Sequence, residues 1–315
     1  MNAKHYIKVA YYLSRTFAYI KHVHFYHKQV KYGIDKEKRP FLQFNNKVFH
    51  SFYPTERELQ SFDLLNRFYP KSFQKSHYRV MRDFLTRYIY PHMMPTLKPH
   101  YPTYLLSGFH GQHKDAIDDI KGKYLRDELK VVFSIKEDDI IINGGSYLGF
   151  GDLRVSEINT LGKIFAVEAE NKCFEILRLN LNTNGVKNVH PLNNALWNKS
   201  EKRSLLTTDT QANSLIDQIV KEANKQIIDC ITVDKIVETY SPKKVDFVSL
   251  TLNGAEVETL DGMKETLSLY KPRIRLAGWY FRGNDPIWKI SSEKLKLFNY
   301  KVVVGKRGSV YAYHK

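Results

Sequence analysis

The sequence of 315 residues contains only two cysteines and no long apolar run. Cys173 and Cys230 lie far apart and have no metal-binding spacing, so we expect free thiols in a reducing compartment. No stretch of about 18 apolar residues is present, and a transmembrane helix is therefore not expected. Lys8 and Arg15 interrupt the N-terminal stretch, which lacks a small-residue cleavage site and does not resemble a signal peptide. These absences predict a cytoplasmic protein.

Common metal, phosphate and nucleic-acid motifs are also missing. His22, His24 and His27 have no carboxylate or cysteine at a ligand spacing, so no metal site is predicted. The stretch IINGGSYLGFGD, residues 141–152, lacks the Lys and Ser or Thr of a phosphate loop, and its glycines do not fit G-x-G-x-x-G. The stretch LTLNGA has no proline of the Asn/Asp-Pro-Pro-aromatic loop that grips a flipped base. Nucleic acid is therefore not the expected partner.

Positive charge is concentrated in the first third of the chain. The formal net charge is +16, and residues 1–105 hold 18 Lys and Arg against 6 Asp and Glu, so an acidic partner would meet this region. Its first residues have apolar side chains at helical spacing and basic side chains on the other face. Two interpretations stay open, a peripheral helix on an anionic membrane surface and a helix packed on its own domain. The apolar residues are Tyr6, Ala10, Leu13, Phe17 and Ile20, and the basic ones are Lys4, Lys8, Arg15 and His22.

A proline-rich stretch divides the chain. YPHMMPTLKPHYPTY contains four prolines, which break any helix, and we place a domain boundary near residue 105. Residues 1–105 are predicted to be a basic, aromatic-rich and mostly helical region. In residues 106–315 short apolar strands alternate with helices, which predicts an α/β domain with a mostly parallel sheet and a closing antiparallel hairpin around KRGS. The predicted helices cover residues 115–129, a stretch ending at Gly162, residues 171–185 and residues 255–270.

A carboxylate follows the strand after the glycine turn. Glu168 ends the strand IFAVE, 19 residues after Gly149. In a doubly wound sheet the carboxyl ends of neighbouring strands meet at the ligand crevice, where a carboxylate can accept both hydroxyls of a ribose. The pair predicts an adenosine ligand without a pyrophosphate, and S-adenosyl-L-methionine fits. The alternative is that Glu168 caps a neighbouring helix.

Several motifs together resemble one enzyme family. The run KEDDIIINGGSYLG, the segment VEAEN before L-x-x-N-L-x-x-N, the T-x-D motif and N-G-A-E-x-x-x-L-x-G-M are similar to the FkbM family of S-adenosyl-L-methionine-dependent methyltransferases over residues 125–315. The resemblance implies a Rossmann-like class I methyltransferase fold, with a mostly parallel seven-stranded sheet and an antiparallel C-terminal hairpin. It also implies O-methylation of a sugar, a glycan or another small hydroxyl acceptor.

The resemblance further implies which residues bind the cofactor. Asn180 matches an asparagine of the family's next helix, which we interpret as structural, and Asp234 of the T-x-D motif is interpreted in the same way. The predicted cofactor-binding residues are Asn143, Gly145, Ser146, Tyr147, Gly149, Glu168, Asn171, Asn194 and Thr251.

The chain departs from the family where an acceptor hydroxyl would lose its proton. Asn143 stands in place of an Asp, and Thr251 and Asn253 stand in place of an Asp and a Glu after the central strand. Thr and Asn cannot act as bases near neutral pH. Glu256 is the first candidate for a replacement base, with a dipole-stabilised helix carboxylate as its structural alternative. Further candidates are Asp261, Tyr280 and Asp285.

Two functions therefore stay open from the sequence. The retained glycine turn and Glu168 favour an O-methyltransferase. The loss of the Asp and Glu favours a methyltransferase-like protein without catalysis, which would act as a binding or scaffold module through its basic N-terminal region.

Overall fold

The computed structural model describes residues 23–65, 69–89, 120–207, 213–216, 224–305 and 308–314. The chain divides into two compact units, Met1–Leu85 and Thr86–Lys315. The boundary predicted near residue 105 falls outside the described residues and stays a prediction. The proposed amphipathic helix, from Lys4 to His22, also lies outside them. Among the described residues, no helix has both the length and the apolar character needed to cross a bilayer.

The N-terminal unit contains a small antiparallel sheet as well as helices. The prediction of a mostly helical region missed this sheet, although Asn45 and Asn46 lie between two short apolar runs, which is a hairpin signal. Asn45 has a φ of 53°, as such a turn requires. The elements are β1 (Val30–Ile34), β2 (Pro40–Phe44), β3 (Lys47–His50), α1 (Glu56–Leu65), a 3₁₀ turn (Lys75–His77) and α2 (Tyr78–Asp83). A π-helical turn (Phe84–Ile89) follows and includes the division between Leu85 and Thr86.

A seven-stranded sheet forms the centre of the second unit. Its order is β14-β15-β11-β10-β4-β5-β6, in which β11, β10, β4, β5 and β6 run parallel and the β14–β15 hairpin is antiparallel. This is the strand order of the class I methyltransferase fold, and it confirms the predicted sheet and closing hairpin. The strands of the second unit, which include five outside this sheet (β7, β8, β9, β12 and β13), are β4 (Ile140–Gly144), β5 (Lys163–Val167), β6 (Val189–Leu192), β7 (Ala195–Leu196), β8 (Lys202–Thr207), β9 (Asn224–Ile231), β10 (Phe247–Leu250), β11 (Arg273–Ala277), β12 (Phe281–Arg282), β13 (Asp285–Pro286), β14 (Lys301–Val304) and β15 (Ser309–Tyr313).

Helices connect these strands, and three predicted boundaries differ from the structure. The helix predicted from residue 115 begins, within the described residues, at Lys123, and the helix expected to end at Gly162 already ends at Ser156. The single helix predicted at 255–270 is broken at Gly262 and Met263. The helices are α3 (Lys123–Val132), α4 (Phe150–Ser156), α5 (Asn171–Thr183), α6 (Val233–Tyr240), α7 (Glu256–Asp261), α8 (Lys264–Leu269) and α9 (Ile287–Leu297).

The two faces of the central sheet differ in polarity near its carboxyl edge. Ile142, Val248 and Ile274 pair across β4, β10 and β11 and belong to the main apolar core. The next residue of each strand points to the opposite face, because side chains alternate along a strand. That opposite row consists of Asn143, Ser249 and Arg275, all of which are buried. The sheet therefore carries a buried polar row directly below the edge where ligands bind in such folds.

A buried ion pair holds the opposite, amino edge of the sheet. Asp139, which is almost fully buried just before β4, accepts hydrogen bonds from the Arg273 guanidinium of β11 and from the Lys136 amide. We expect Asp139→Ala to lower the free energy of unfolding by about 3–5 kcal/mol, because it leaves the Arg273 charge without this partner. Urea denaturation measures the change.

The neighbouring residue offers a matched control. Asp138 is 60% exposed and pairs with Lys244 at 2.7 Å, so Asp138→Ala should change stability little. Equal losses in the two variants would show that Asp139 does not hold the sheet.

Candidate functional site

The glycine turn between β4 and α4 is attached to the end of β5. The amides of Gly145 and Ser146 both donate to the Val167 carbonyl, at 2.9 and 3.1 Å. Gly145, Tyr147 and Gly149 have φ values of 86°, 55° and 77°, so the chain repeatedly adopts the left-handed conformation. This geometry turns the backbone sharply at the carboxyl edge of the sheet.

Glu168 lies next to this turn, immediately after β5. Its Oε2 accepts a hydrogen bond from the Tyr147 amide at 2.7 Å, and its Oε1 accepts one from the Glu170 amide at 2.9 Å. Burial raises the pKa of Glu168 to about 7, since it disfavours the charged form more than the two amides favour it. A carboxylate has about four acceptor positions, so each oxygen retains capacity for one further donor.

A second buried carboxylate, which the sequence analysis missed, lies beneath the turn. The Asn143 amide donates to Asp152 Oδ1 at 2.8 Å and to Ser146 Oγ at 3.1 Å. Burial raises the pKa of Asp152 to about 7. The carboxylate absent at position 143 is thus present beside it on α4. The sequence signal for this carboxylate is an acidic residue in the first turn of the helix that follows the glycine turn.

Two of the predicted cofactor-binding residues, Asn171 and Asn194, have no side-chain hydrogen bond to the glycine turn among the bonds described. Asn171 is the exposed first residue of α5. The Asn194 amide donates to the Asp229 carbonyl on β9, at 3.2 Å. Its neighbour Asn193 instead donates to the Glu168 carbonyl at 3.1 Å, a contact that the sequence analysis did not predict.

Asn180 and Asp234 have the structural contacts expected for them. The Asn180 amide donates to the Leu148 carbonyl at 2.8 Å and so connects α5 to the glycine turn. Asp234 accepts hydrogen bonds from the amide and hydroxyl of Thr266, at 2.8 and 2.6 Å, at the start of α8.

Thr251 brings the end of β10 beside the glycine turn. Its amide donates to the Gly144 carbonyl at 2.9 Å. Its hydroxyl accepts a hydrogen bond from Arg275 Nη1 at 3.0 Å. The structure therefore brings Thr251, the turn and Glu168 to one edge of three neighbouring strands.

The Glu256 carboxylate faces the backbone of its own loop. Its two oxygens accept hydrogen bonds from the Leu252 and Gly254 amides, at 2.8 and 2.9 Å, and the residue is fully buried. Burial raises the pKa of Glu256 to about 7. This geometry favours the structural alternative, and the catalytic role of Glu256 stays a prediction.

The other candidate bases also have defined partners. Asp261 pairs with Lys294 at 2.6 Å, and Asp285 pairs with Lys289 at 2.7 Å. The Tyr280 hydroxyl donates to Asn253 Oδ1 at 3.1 Å. Burial raises the pKa of Tyr280, so its hydroxyl stays protonated and serves as a hydrogen-bond donor near neutral pH.

No metal cluster occurs in the part of the chain that the structure describes, where no group of three or more His, Cys, Asp or Glu could hold an ion. His24 and His27 lie in this part and His22 does not.

Comparison with protein-family models identifies the domain. Residues 145–299 match the model described as the methyltransferase FkbM domain. The match confirms the family that the sequence motifs resemble, over a shorter stretch than the predicted 125–315. No curated protein matches the chain.

Solved structures with low sequence identity are also similar to the chain. The methyltransferase FkbM of Methylobacillus flagellatus KT is 14% identical, with a TM-score of 0.44, 82% of this chain covered and 59% of that one. The precorrin-6y C5,15-methyltransferase of Geobacter metallireducens GS-15 is 15% identical, with a TM-score of 0.39 and coverage of 62% and 90%. Aeropyrum pernix fibrillarin, in complex with natively bound S-adenosyl-L-methionine, is 12% identical, with a TM-score of 0.35 and coverage of 56% and 66%. The chain spans 59% of the length of the first of these structures.

The close approach of Gly145 to β10 can be tested by adding one methyl group. A Cβ at Gly145 would lie 2.2 Å from the Thr251 carbonyl oxygen, whereas a Cβ at Gly185 would meet nothing within 4 Å. Both glycines have positive φ, so Gly185→Ala is a control for backbone strain alone. We expect Gly185→Ala to cost about 1 kcal/mol and Gly145→Ala at least about twice as much. Thermal unfolding compares them, and equal losses would contradict the close packing at Gly145.

The buried Asp152 predicts a specific dependence of stability on pH. Its pKa is about 7 in the folded protein against an ordinary value of 3.8, so the folded state holds the proton more tightly. Its contribution to stability is complete below a pH of about 4 and is lost as the pH rises to about 7. Asp152→Asn should therefore gain in melting temperature relative to wild type between about pH 4 and about pH 7. An Asp152→Asn profile parallel to wild type would refute this account.

Proposed function

We propose that the protein transfers a methyl group from S-adenosyl-L-methionine to a hydroxyl oxygen of a sugar, a glycan or another small acceptor. Residues 145–299 match the methyltransferase FkbM domain, which supports this proposal. The observation that carries the proposal is the hydrogen bond from the Tyr147 amide to Glu168, 2.7 Å long, which joins the glycine turn to a carboxylate at the next strand end. The glycine turn follows β4, and the strand order of the sheet reverses between β4 and β10, which is the usual ligand crevice of such folds.

The donor set at this edge fits an adenosine ligand. Glu168 keeps two acceptor positions after its bonds to the Tyr147 and Glu170 amides, which is the number that the two ribose hydroxyls need. The turn has no lysine for a phosphate. We propose that Gly145, Ser146, Tyr147 and Gly149 approach the ligand through their backbone. Asn143, Asn171, Asn194 and Thr251 are proposed to complete the cofactor site.

Positioning is the contribution expected from the chain itself. The bound cofactor supplies an electrophilic methyl group on a sulfonium. The rate of transfer to a hydroxyl depends most on holding the two reacting groups in line. A loop after β10 that hydrogen bonds hold in place would contribute to this alignment. The Thr251 hydroxyl is held by Arg275 at 3.0 Å, and Asn253 is held by Tyr280 at 3.1 Å.

The acceptor hydroxyl must give its proton to a base, and the replacement of the family's Asp and Glu after β10 therefore favours a second candidate function. Thr251 and Asn253 cannot act as bases, and the Glu256 carboxylate is bound to the Leu252 and Gly254 amides. Glu256 has a pKa of about 7, which suits a base near neutral pH, so its movement toward an acceptor would allow catalysis. Without such movement, the chain would bind the cofactor and act as a binding or scaffold protein.

We also propose a cytoplasmic location and contact with an anionic membrane surface. Cys173 and Cys230 are both buried and form no disulfide bond, which supports a reducing, cytoplasmic location. The excess of basic residues in residues 1–105 supports contact with an anionic membrane surface.

Calorimetric titration with S-adenosyl-L-methionine and S-adenosylhomocysteine tests the proposed crevice. We expect micromolar binding by wild type and a loss of at least about tenfold in Glu168→Gln, because the amide replaces one acceptor oxygen by a donor. Glu175→Gln is the matched control, since Glu175 is exposed on α5 directly after the crevice, and it should bind as wild type does.

The outcomes separate the two candidate functions. Absence of binding by folded wild type would reject the methyltransferase proposal. Binding together with transfer of a labelled methyl group to a sugar or glycan would support the enzyme. Binding without transfer across a broad acceptor panel would favour the scaffold alternative.

A further inference from the structure

Three polar side chains follow β10 at the carboxyl edge of the sheet, and two of them are engaged within the protein. The Asn253 amide accepts a hydrogen bond from the Tyr280 hydroxyl at 3.1 Å and donates one to the Asn213 carbonyl at 2.9 Å. Both Glu256 oxygens accept hydrogen bonds from backbone amides of the same loop. Thr251 is the third member of this group, and its hydroxyl differs from the other two.

The Thr251 hydroxyl has a proton that no group of the described residues accepts. Its Oγ1 accepts a hydrogen bond from Arg275 Nη1 at 3.0 Å, and among the bonds of the described residues it donates none. A guanidinium has no acceptor atom, so the hydroxyl proton points away from Arg275. The Thr251 side chain is half-buried, whereas Arg275 is only 2% exposed. The hydroxyl can therefore donate to a ligand that reaches the end of β10.

The position of Thr251 brings this donor beside the proposed cofactor crevice. Its amide donates to the Gly144 carbonyl at 2.9 Å, and a Cβ built on Gly145 would lie 2.2 Å from its carbonyl oxygen. Thr251 follows Ser249 by two residues, and its contact with Arg275 places its side chain on the polar side of the sheet. The donor thus lies next to the glycine turn, at the edge where the methyl donor is proposed to bind.

Arg275 makes the Thr251 hydroxyl a stronger donor. A guanidinium stays protonated in proteins, and water screens a buried charge far less than an exposed one. A hydrogen bond from a charged group is stronger than one from a neutral group, and it polarises the hydroxyl that accepts it. A hydroxyl polarised in this way binds an oxygen with negative charge in preference to a neutral one.

We infer that the Thr251 hydroxyl binds the oxygen that receives the methyl group, and that this oxygen is an anion before transfer, in a carboxylate or an acidic hydroxyl. The inference rests on the proposed function and names the chemical class of its acceptor. The oxygen attacks the methyl carbon, the bond from sulfur to this carbon breaks, and its electron pair stays on sulfur. The anion becomes a neutral ester or ether, the sulfonium becomes a neutral thioether, and no proton is transferred.

An anionic acceptor removes the need for a base at this site. Thr251 and Asn253 cannot take a proton near neutral pH, and both Glu256 oxygens are bound to backbone amides. An oxygen that is already ionised needs no such group. An Asp at position 251 would repel an anionic acceptor, whereas the Thr251 hydroxyl donates to it. The replacement of the two acidic residues after β10 is then compatible with catalysis.

Two matched pairs of acceptors test the charge requirement on the full chain. Methyl glucuronide differs from methyl glucoside by a carboxylate, and 4-nitrophenol is ionised near neutral pH to a far greater extent than 4-methylphenol. With S-adenosyl-L-methionine labelled in its methyl group, transfer to the ionised member of at least one pair should be at least about tenfold faster than to its partner. Alkali releases labelled methanol from a methyl ester but not from an ether, which distinguishes a carboxylate acceptor from a hydroxyl.

Variants at Thr251 test the role of its hydroxyl. Thr251→Val removes the hydroxyl with little change in volume and should lower kcat/KM for the ionised acceptor by at least about tenfold. Thr251→Ser keeps the hydroxyl and should retain most of the activity. Thr251→Asp adds a negative charge and should reduce the preference for the ionised acceptor. Thr183→Val is the matched control, because Thr183 is exposed at the end of α5, and it should behave as wild type does.

The outcomes separate the inference from the proposed function. A preference for the ionised acceptor that Thr251→Val loses and Thr251→Ser keeps would support the inference. Equal transfer to both members of each pair, transfer to the neutral members alone, or transfer to none by a protein that binds S-adenosylhomocysteine would overturn it. Equal activity of wild type and Thr251→Val with the same melting temperature would also overturn it. Failure of wild type to bind S-adenosylhomocysteine would reject the proposed function itself.

Discussion

The attachment of the glycine turn to the end of β5 is the constraint on which the candidate site depends. Two amides of the turn share the Val167 carbonyl, and the next amide, that of Tyr147, reaches Glu168. This arrangement forces Gly145 and Gly149 into left-handed conformations that side chains disfavour. It also turns the backbone toward the carboxyl edge between β4 and β10. The glycine-rich stretch thus holds a neighbouring strand end and its carboxylate.

Buried carboxylates lie on the segments that follow the carboxyl ends of β4, β5 and β10. Asp152, Glu168 and Glu256 each have a pKa of about 7, because burial penalises the charged form. Backbone or side-chain amides donate to all three, which lowers the cost of burying them. Their charge near neutral pH is therefore sensitive to small changes around them, including the arrival of a cationic ligand.

The architecture could be predicted from the sequence to a large extent. Apolar runs alternate with amphipathic segments in the second unit, and this pattern predicts a parallel α/β sheet regardless of local detail. Helix ends were less predictable, because the break at Gly262 and Met263 follows from how two short helices pack. The sheet at residues 30–50 was not predicted, because aromatic and basic residues there fit helical as well as extended patterns, and the turn at Asn45 is what distinguishes the two.

The sequence by itself determined the fold class, the glycine turn and the carboxylate at the end of the next strand, because the alternation of strands with helices and the chemistry of turns depend on local pattern. The tertiary structure alone decided where side chains point. It turned Glu256 toward its own loop, Asn194 toward β9, and Asp152 beneath the turn. The partner of Asn194 is 35 residues away, whereas those of Glu256 and Asp152 lie within nine residues, so separation along the chain does not tell which bond will form. Polar groups that leave water must find partners among the groups that folding brings beside them. A sequence pattern records the residue type at each position but not which partner will satisfy it.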